Sequence, residues 1–434
     1  MKRAYVNAVI LDGTENMVAK TGLAVLTDGE RITDIVPNDS DFSGYEIIDL
    51  KGKYLMPGLI NMHVHLPSSG KPSKKQTDAK KLVKFALMNK YTRKILQAIC
   101  EKSAKTELCS GVTTLRTVGG VDHYDTFIRD RINNGEIVGP RILASNYALS
   151  VNGGHMVGSV ALGAQSVEET KELVRKIAQD KPDLIKLMIT GGVLDLDENG
   201  EPGQLKMGEE YVKAACDEAH KLGLKVAAHV ESPLGVLVAL QNGVDSIEHG
   251  AEPTEEIIEE FKKRGACHIT TISPALPFAF FDRSVSNVSE AAQKCGKIVF
   301  DGIVSCAKTC LKEGIPVGLG TDTGCPFITH YDMWRELVYF QEYCGVSSAF
   351  ALHCATLGNA KLLGLENETG SIEKGKCADF IVADSDPLAD LEALRNLHMV
   401  VARGNIIREP KIKKYPNVEA ELDKFLPRSK KSHF

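Results

Sequence analysis

The sequence predicts an α/β protein with a (β/α)8 barrel, the TIM-barrel fold, and a small β-sandwich domain formed by the N- and C-terminal segments. Eight short apolar runs alternate with longer amphipathic stretches between residues 58 and 322, a length close to the roughly 250 residues of a typical (β/α)8 barrel. Both ends of the chain instead carry strand-like segments separated by turns. An open doubly wound sheet is the alternative, but no GxGxxG or GxxxxGK(S/T) segment follows the first strand of the alternating region.

The composition excludes several classes of function. The chain has 434 residues, 43% apolar and 25% charged, as in folded globular proteins. Its net charge of −5 gives no basic excess for nucleic acid or a membrane surface, and no run of roughly 18 apolar residues predicts a membrane span. Asp12 and Glu15 interrupt the N-terminal segment where the apolar core of a signal peptide would continue. Eleven cysteines without a CxxC pair favour a reducing compartment, so we expect a cytoplasmic protein.

The two terminal regions have the pattern of short β-strands. Residues 1–56 contain AYVNAVILDG and GLAVLTDG, and residues 366–410 contain GSIEKGKCADFIVADSDP, with glycine and aspartate between the apolar runs. Each segment is too small to form a good core alone, so the two are expected to pair into one β-sandwich domain. We assign residues 57–365 to the barrel and residues 411–434, which are charged and poor in core residues, to a C-terminal tail.

The middle region has the pattern of parallel βαβ units. Its amphipathic stretches include SVEETKELVRKIAQ and PTEEIIEEFKKRG, and buried strands that alternate with surface helices indicate a parallel sheet. The eight apolar runs are GLINMHVHL (58–66), GVTTLRTV (111–118), PRILASNYAL (140–149), DLIKLMITG (183–191), LKVAAHV (224–230), VDSIEHG (244–250), ACHITTI (266–272) and PVGLGTD (316–322).

Five side chains suited to metal binding lie in or directly after these runs. His63 and His65 are two residues apart, a spacing that puts both imidazoles on one face of a strand. His229, His249 and Asp322 each follow an apolar run and precede a turn. The C-terminal ends of parallel barrel strands converge on one face, where barrel active sites lie. Four imidazoles and a carboxylate there suit zinc or a similar cation, and they are hard to explain as separate hydrogen-bonded core histidines.

Lys186 lies inside the apolar run DLIKLMITG, where a charged ammonium would be costly to bury. A buried lysine with a lowered pKa can act as a nucleophile or base. It can also react with CO2 to give a carbamate, an anionic ligand with two oxygens. The alternative is a lysine whose amine reaches solvent at the barrel rim.

Taken together, these residues resemble the amidohydrolase superfamily over nearly the whole chain. The resemblance begins with LMPGLINMHVH (55–65) and ends with GSIEKGKCADFIVAD (370–384). It implies two divalent metal ions, with zinc the favoured metal, and a bridging hydroxide. By this resemblance His63, His65 and Asp322 hold one metal, His229 and His249 hold the second, and a carboxylated Lys186 bridges the two.

Within the superfamily the chain is most similar to prolidase-like and carboxypeptidase-like enzymes related to imidazolonepropionase. The similar stretches are TTLRTVGG (113–120), ALSVNGGH (148–155), KLMITGGV (186–193) and the HGAEP that begins at His249. Imidazolonepropionases bind one metal without a bridging lysine, so Lys186 favours the binuclear branch. Two departures concern the substrate: Thr117 follows Arg116 where the group often has aspartate, and Met207 stands where some members carry tyrosine.

Further side chains are candidates for substrate binding. His155 follows a Gly-Gly pair that permits a tight turn, and the resemblance implies that it binds the substrate's carbonyl oxygen or carboxylate. Arg116 can bind a carboxylate through two hydrogen bonds, with an internal ion pair as the alternative. Cys325 is expected near the barrel mouth without a nucleophilic role, and His268 is expected to fill the core. Four further histidines are expected to be structural or exposed: His123, His220, His330 and His353.

The predicted function is hydrolysis of a C–N amide bond in a dipeptide or an N-acyl amino acid. Two metals would supply hydroxide at neutral pH. Asp322 would take the proton of the attacking water and deliver it to the leaving nitrogen, and His155 would polarise the carbonyl. Hydrolysis of a cyclic amide and deamination of a heterocycle are the enzymatic alternatives. A non-catalytic barrel scaffold is disfavoured because all six ligand positions are filled. The resemblance implies a homo-oligomer without nucleic-acid or membrane partners.

Overall fold

The computed structural model describes residues 1–73, 78–197 and 199–427. Residues 428–434 of the predicted tail lie outside this part. The strands in chain order are β1 (Lys2–Val6), β2 (Val9–Ile10), β3 (Leu23–Asp28), β4 (Arg31–Pro37), β5 (Glu46–Asp49), β6 (Tyr54–Pro57), β7 (Leu59–Val64), β8 (Val112–Thr117), β9 (Arg141–Leu143), β10 (Ala148–Val151), β11 (Ala161–Ala164), β12 (Leu184–Met188), β13 (Lys225–Val230), β14 (Ser246–His249), β15 (Cys267–Thr270), β16 (Val317–Leu319), β17 (Phe380–Ala383), β18 (Leu397–Ala402) and β19 (Asn405–Arg408).

The helices in chain order are α1 (Ala79–Ala86), α2 (Lys90–Cys109), α3 (Tyr124–Asn133), α4 (Val167–Ala178), α5 (Glu209–Lys221), α6 (Pro233–Gln241), α7 (Glu255–Arg264), α8 (Ile272–Phe280), α9 (Arg283–Ser286), α10 (Glu290–Lys312), α11 (Met333–Cys344), α12 (Ser348–His353), α13 (Asn359–Leu363) and α14 (Pro416–Leu422). A π-helical turn at Cys354–Gly358 and 3-10 turns at Leu391–Arg395 and Asp423–Phe425 complete the helical segments. Within the described ranges, no helix combines the length and the apolar character needed to cross a membrane.

The chain forms two compact units. The first comprises Met1–Asn61, Ala104–Leu115 and His330–Lys414, and the second comprises the described parts of Met62–Ser103, Arg116–Thr329 and Tyr415–Phe434. Residues 330–365, which the sequence analysis placed in the barrel domain, group with the terminal strands. The domain boundaries at residues 57 and 365 stay a prediction.

The first unit is a β-sandwich that both ends of the chain build. One sheet has the order β4-β3-β1-β5, and the other has the order β19-β18-β17-β6-β2. β17 from the C-terminal part pairs antiparallel with β6 from the N-terminal part, with Phe380 opposite Pro57. The ring of Tyr5 meets the ring of Phe380 edge-on, with 4.8 Å between centroids, inside a core of buried aliphatic side chains. The predicted β-sandwich of terminal segments is therefore confirmed.

The second unit contains most of the parallel strands that the apolar runs predict, and β7 and β8 begin in the first unit and end in the second. One sheet has the order β11-β10-β12-β13-β14-β15-β16, and β7, β8 and β9 form another. Backbone hydrogen bonds join these sheets on both sides: the N–H of Asp183 donates to Ala144, and the N–H of Asp322 donates to His63. Eight strands, β7, β8, β9 and β12 to β16, correspond to the eight apolar runs. The fold is a TIM-barrel-like α/β fold with a β-rich domain, as the sequence predicts.

The helices of the second unit begin and end where the sequence provides capping residues. Ser166 accepts a hydrogen bond from the N–H of Glu169 at the start of α4, and Thr254 accepts one from Ile257 at the start of α7. α7 ends at Gly265, whose φ of 66° is left-handed and therefore suits glycine. These caps fix the helix ends, and with them the lengths of the loops that carry the candidate site.

Candidate metal centre

The site residues that the sequence predicts converge on one cavity of about 560 Å³. β12, β13 and β14 run parallel, with Met188 opposite His229 and Val230 opposite His249, so their C-terminal ends meet at one edge. The cavity is lined by seven of the predicted residues: His63, His65, His155, Lys186, His229, His249 and Asp322. Much of the remaining wall is apolar, with Phe278, Val299 and Ile303 among its side chains. Imidazole, amine and carboxylate groups therefore share a poorly hydrated space.

Nδ1 of both His63 and His65 donates a hydrogen bond away from the site, and Nε2 of each ring faces Asp322. Nδ1 of His65 donates to the carbonyl oxygen of Gly119 at 2.7 Å, and Nδ1 of His63 donates to the Glu248 carboxylate at 2.8 Å. In the neutral rings both Nε2 atoms are then lone-pair acceptors. They lie 3.4 Å (His63) and 3.0 Å (His65) from Oδ1 of Asp322. Two ring nitrogens and a carboxylate oxygen that converge on one point fit a divalent cation, which would replace the proton that otherwise lies between His65 and Asp322.

Burial keeps His63 in the protonation state that a metal requires, whereas at His65 the opposing effect of burial is outweighed by the hydrogen bond with Asp322 together with its charge, which raise the pKa. Burial lowers the pKa of His63 to about 4, with the nearby Lys186 amine adding to the effect, so the imidazole is neutral at pH 7. The surrounding histidines hold the pKa of Asp322 well below its usual range, although burial opposes this effect. Neutral imidazole and ionised carboxylate are the forms that ligate metals.

His229 and His249 form a second group of donors together with Glu231. Single ligand atoms of these three residues lie within 4.8 Å of one another. Nε2 of His229 is buried and has no hydrogen-bond partner among the described residues. Nδ1 of His249 is 2.7 Å from Oγ1 of Thr271, which leaves Nε2 for a ligand. Burial lowers the pKa of both histidines well below the usual value, so both rings are neutral donors.

His249 also belongs to a donor group on the other side. One ligand atom each from His63, His249 and Asp322 lies within 4.8 Å of the others. The ring centroid of His249 is 4.8 Å from that of His63 and 4.7 Å from that of His229. His249 thus stands between the two donor groups. The division of ligands between two metals that the resemblance implies stays a prediction.

Lys186 lies completely buried on β12. Its Nζ atom has no hydrogen-bond partner in the described part of the chain. Burial lowers the pKa of this amine to about 8, and the Arg116 guanidinium adds to the effect, whereas Glu248 and Asp322 oppose it. The alternative of an amine that reaches solvent at the rim does not match this position. At pH 7 about a tenth of such amines are neutral, the form that can react with CO2.

Two site residues adopt a left-handed backbone conformation. The φ angle of His249 is 67° and that of Asp322 is 56°. A non-glycine residue in this region is uncommon and costs of order 1–3 kcal/mol. His249 directly follows Glu248, and strand alternation would place their side chains on opposite faces. The turn at His249 brings both side chains to the site, so the backbone strain coincides with the donor positions.

Arg116 forms an internal ion pair, the alternative that the sequence left open. It is 5% exposed, and its guanidinium donates to Glu248 at 2.6 Å, to the hydroxyl of Ser246 at 3.1 Å and to the carbonyl of Met62 at 2.8 Å. The described residues that line the cavity do not include it. Instead of contacting a substrate from this position, Arg116 holds Glu248, and Glu248 holds the ring of His63.

His155 is oriented by a carboxylate that the sequence analysis did not identify. Its Nδ1 is hydrogen-bonded to Asp195, which also accepts the N–H of Gly192 at 3.2 Å. The His155 ring stacks on the ring of His229, with 4.4 Å between centroids and 10° between planes. The hydrogen bond with His155 lowers the pKa of Asp195. This arrangement fixes the ring at the cavity wall, beside the second group of donors.

Three acidic residues of the site were missed from the sequence. Asp195 lies in a loop, where no periodicity indicates direction. Glu231 follows His229 by two residues in HVES, and this spacing is the signal that could have identified it. Glu248 precedes His249 inside a strand, and strand alternation predicts that only one of the two side chains faces the site. Burial raises the pKa of the Glu231 carboxyl to about 8, with Asp322 and Asp195 adding to the effect.

The remaining cysteine and histidine candidates have structural surroundings. Cys325 lines the cavity, and its Sγ is 3.4 Å from Oδ2 of Asp322. Burial raises the pKa of this thiol, so the thiolate is disfavoured. His268 is buried and donates from Nε2 to the main-chain oxygen of His249 at 2.7 Å, with Cys306 and Cys310 close to its ring. His123 and His220 are exposed, His330 is buried against Glu107, and His353 bonds the carbonyl of Gly13.

A TIM-barrel-like fold with imidazole and carboxylate donors at its strand ends defines a class of enzymes that use a metal to activate water. The chain belongs to the Amidohydrolase family, whose sequence model matches residues 54–407. It is a hydrolase that acts on carbon–nitrogen bonds. The family generally binds divalent metals, and the donors described above fit that chemistry.

Similar proteins include several amide hydrolases. The crystal structure of a Bifidobacterium longum protein with an inferred prolidase activity has a TM-score of 0.86 and 34% identity over 98% of both chains. The structure of a Xaa-Pro dipeptidase with methionine bound in its active site has a TM-score of 0.81 and 28% identity over 94% of this chain and all of that one. The ochratoxinase of Aspergillus niger is 26% identical and aligns with 88% of this chain and 84% of its own.

Proposed function

We propose that the protein hydrolyses the amide bond of a dipeptide or an N-acyl amino acid with two divalent metal ions. One observation carries the proposal: ring nitrogens of His63 and His65 and a carboxylate oxygen of Asp322 converge on one point, beside a buried Lys186 amine without a hydrogen-bond partner among the described residues. The Xaa-Pro dipeptidase similarity supports the substrate class.

The residues divide into two ligand sets and a bridge. His63, His65 and Asp322 hold one cation, and His229 and His249 hold the other. Lys186, as a carbamate formed from its neutral amine and CO2 with loss of a proton, would help to hold both. When bound, the cations would lower the pKa of a water molecule so that hydroxide is available at neutral pH. The Arg116–Glu248 pair keeps Nδ1 of His63 protonated, so Nε2 remains the donor atom.

Two residues handle the proton and the carbonyl. Asp322 accepts the proton of the attacking water on its second carboxylate oxygen and delivers it to the departing nitrogen. As the imidazolium, His155 donates Nδ1–H to Asp195 and is expected to donate Nε2–H to the carbonyl oxygen, where it stabilises the charge that develops. The apolar wall excludes bulk water, which strengthens both interactions.

We further propose zinc as the native metal, a cytoplasmic location and a homo-oligomer. Imidazole and carboxylate donors suit zinc. No disulfide links any of the eleven cysteines, all of which lie in the described residues, although many are buried, and this supports a reducing compartment. Elemental analysis, cell fractionation and sedimentation test these three points separately, and zinc below about one equivalent, secretion or a monomer would contradict them.

The test combines metal content with a substrate panel. Protein purified without chelators in the presence of bicarbonate is expected to contain about two metal equivalents, and to lose activity on chelation and regain it on metal addition. Lys186→Ala is expected to retain about one equivalent. Dipeptides and N-acyl amino acids should be hydrolysed, whereas lactams and aminopurines should not. Turnover of a lactam or an aminopurine without any amide hydrolysis would overturn the proposal in favour of the cyclic-amide or deaminase alternative.

A further inference from the structure

Glu231 places a carboxyl group on the cavity wall, and no cationic side chain is among the described residues that act on it. It lies just beyond the end of β13 and lines the cavity. Its Oε2 atom is buried and has no hydrogen-bond partner among the described residues. The charged groups that act on it are Asp322 and Asp195, and both are negative. A buried carboxylate oxygen without a partner is costly, so this position calls for a cationic or hydrogen-donating group.

The distance to the metal-binding histidines limits what that group can be. Ligand atoms of Glu231, His229 and His249 lie within 4.8 Å of one another. A cation recognised here must therefore be close to the carbonyl that is cleaved. In an aminoacyl amide, the α-amino nitrogen is separated from the carbonyl carbon by a single carbon atom, so it lies beside the carbonyl. In an N-acyl amino acid a carbon or hydrogen occupies the same place and leaves the carboxylate unpaired.

We propose that Glu231 binds the protonated α-amino group of the substrate, so that the enzyme acts on dipeptides with a free amino terminus in preference to N-acyl amino acids. The inference rests on the proposed amide hydrolysis and narrows its substrate class. Glu231 is a specificity-determining residue for that reaction: it touches the substrate beside the scissile carbonyl and takes no part in bond breaking.

Matched pairs of substrates test the inference directly. Glycyl-leucine and N-acetyl-leucine differ only in that a hydrogen replaces the ammonium group, and the same pair can be made with proline, phenylalanine or arginine as the second residue. The wild-type enzyme is expected to cleave the glycyl member with a kcat/KM about 10- to 100-fold higher, the size of a charge-assisted hydrogen bond. Glu231→Gln is expected to lose this preference, so that the kcat/KM values of the two members differ by no more than about threefold.

Two further variants keep the test decisive. Glu231→Asp retains the carboxylate and is expected to retain part of the preference for the glycyl substrates. Glu252→Gln, an exposed residue just after β14, is the matched control and is expected to leave both substrates unchanged. Metal content is measured for every variant. Loss of metal from Glu231→Gln, with both substrates slowed equally, would overturn the inference and assign Glu231 as a ligand of the second cation.

Different experimental results would overturn this inference and the proposed function. Wild-type enzyme that cleaves N-acetyl substrates as well as glycyl substrates overturns the role of Glu231 and leaves amide hydrolysis standing. Wild-type enzyme that cleaves neither member of any pair overturns both. A preference for glycyl substrates that persists in Glu231→Gln overturns the role of Glu231 and assigns amine recognition to another group.

Discussion

The β-sandwich core and the cavity at the strand ends use burial in opposite ways. In the sandwich, side chains such as Leu55, Phe380 and Val382 are completely buried, and their burial removes apolar surface from water. In the cavity, the buried atoms include Nζ of Lys186 and Nε2 of His229, which have no hydrogen-bond partner among the described residues. The first kind of burial supplies folding free energy, whereas the second kind reduces it. Mutations in the two regions should therefore change different measurements.

Asp322→Asn is expected to have the largest effect and to change activity alone. The amide cannot accept the proton of the attacking water, so kcat should fall about 10²- to 10⁴-fold. Metal content should largely persist, because His63, His65 and the other donors remain. Steady-state kinetics and elemental analysis check this expectation. Asp384→Asn, an exposed position that follows β17, is the control with unchanged kcat. Near wild-type turnover in Asp322→Asn would remove Asp322 from the proton transfer.

Phe380→Ala tests the other side of the comparison. The side chain is buried in the sandwich core against Tyr5 and its neighbours, so truncation leaves a cavity. The free energy of unfolding should fall by about 3–5 kcal/mol, as for other buried aromatic residues. The turnover per folded molecule should stay at the wild-type value. Denaturant unfolding and active-site-normalised kcat check the two parts, and a fall in kcat of the folded protein would contradict the separation.

The sequence could predict which of these side chains lie together because the geometry of parallel strands is general, whereas their roles as metal ligands stay a prediction. His63, His65, His229 and Asp322 follow apolar runs, and the C-terminal ends of parallel strands meet on one face regardless of side-chain detail. The same reasoning could not locate Asp195, because the direction of a loop side chain is set by its own tertiary contacts. It also could not pair Glu248 with His63, since that hydrogen bond depends on the turn at His249.

The fold, like the site, could be predicted from the sequence only in part. The pairing of β6 with β17 followed from two β segments that each lack a core of their own. The grouping of residues 330–365 with the terminal strands did not follow, because the sequence does not show which surface covers α11, whose residues 333–340 are all buried. Periodicity reports that a helix face is buried, and it does not report which surface covers that face.

Asp125 tests the free-energy cost of polar burial outside the site, because it is a buried carboxyl group that is not among the residues described as lining the cavity. Burial raises its pKa from 3.8 to about 6. A raised folded-state pKa means that the group supports the fold fully below about pH 4 and that this support is lost as the pH rises through 6. The loss is about 3 kcal/mol at most, since one pKa unit corresponds to about 1.36 kcal/mol.

Asp125→Asn should therefore become more stable relative to wild type between pH 4 and pH 7, by up to about 3 kcal/mol in the free energy of unfolding. Urea unfolding at several pH values measures the difference. Asp130→Asn, an exposed position on the same helix α3, should show a flat difference over this range. An equally flat profile for Asp125→Asn would mean that the buried carboxyl is stabilised as the anion. The free-energy cost of burying this ionised group, about 3 kcal/mol, would then be too large.

Lys186→Met tests the cost of polar burial at a residue that lines the cavity, and its expected change in the free energy of unfolding is smaller than those of Phe380→Ala and Asp125→Asn. Methionine has a similar length but no amine, so the substitution removes a buried group that has no hydrogen-bond partner among the described residues. In metal-free protein the free energy of unfolding should rise by about 1–2 kcal/mol, the cost of such a group less its attraction to Glu248 and Asp322. Lys225→Met, at the exposed start of β13, should leave stability unchanged. If Lys186→Met instead destabilises the metal-free protein, the amine itself stabilises the fold. Burial of this polar group in the cavity would then contribute to the free energy of unfolding, as burial of apolar groups does in the sandwich.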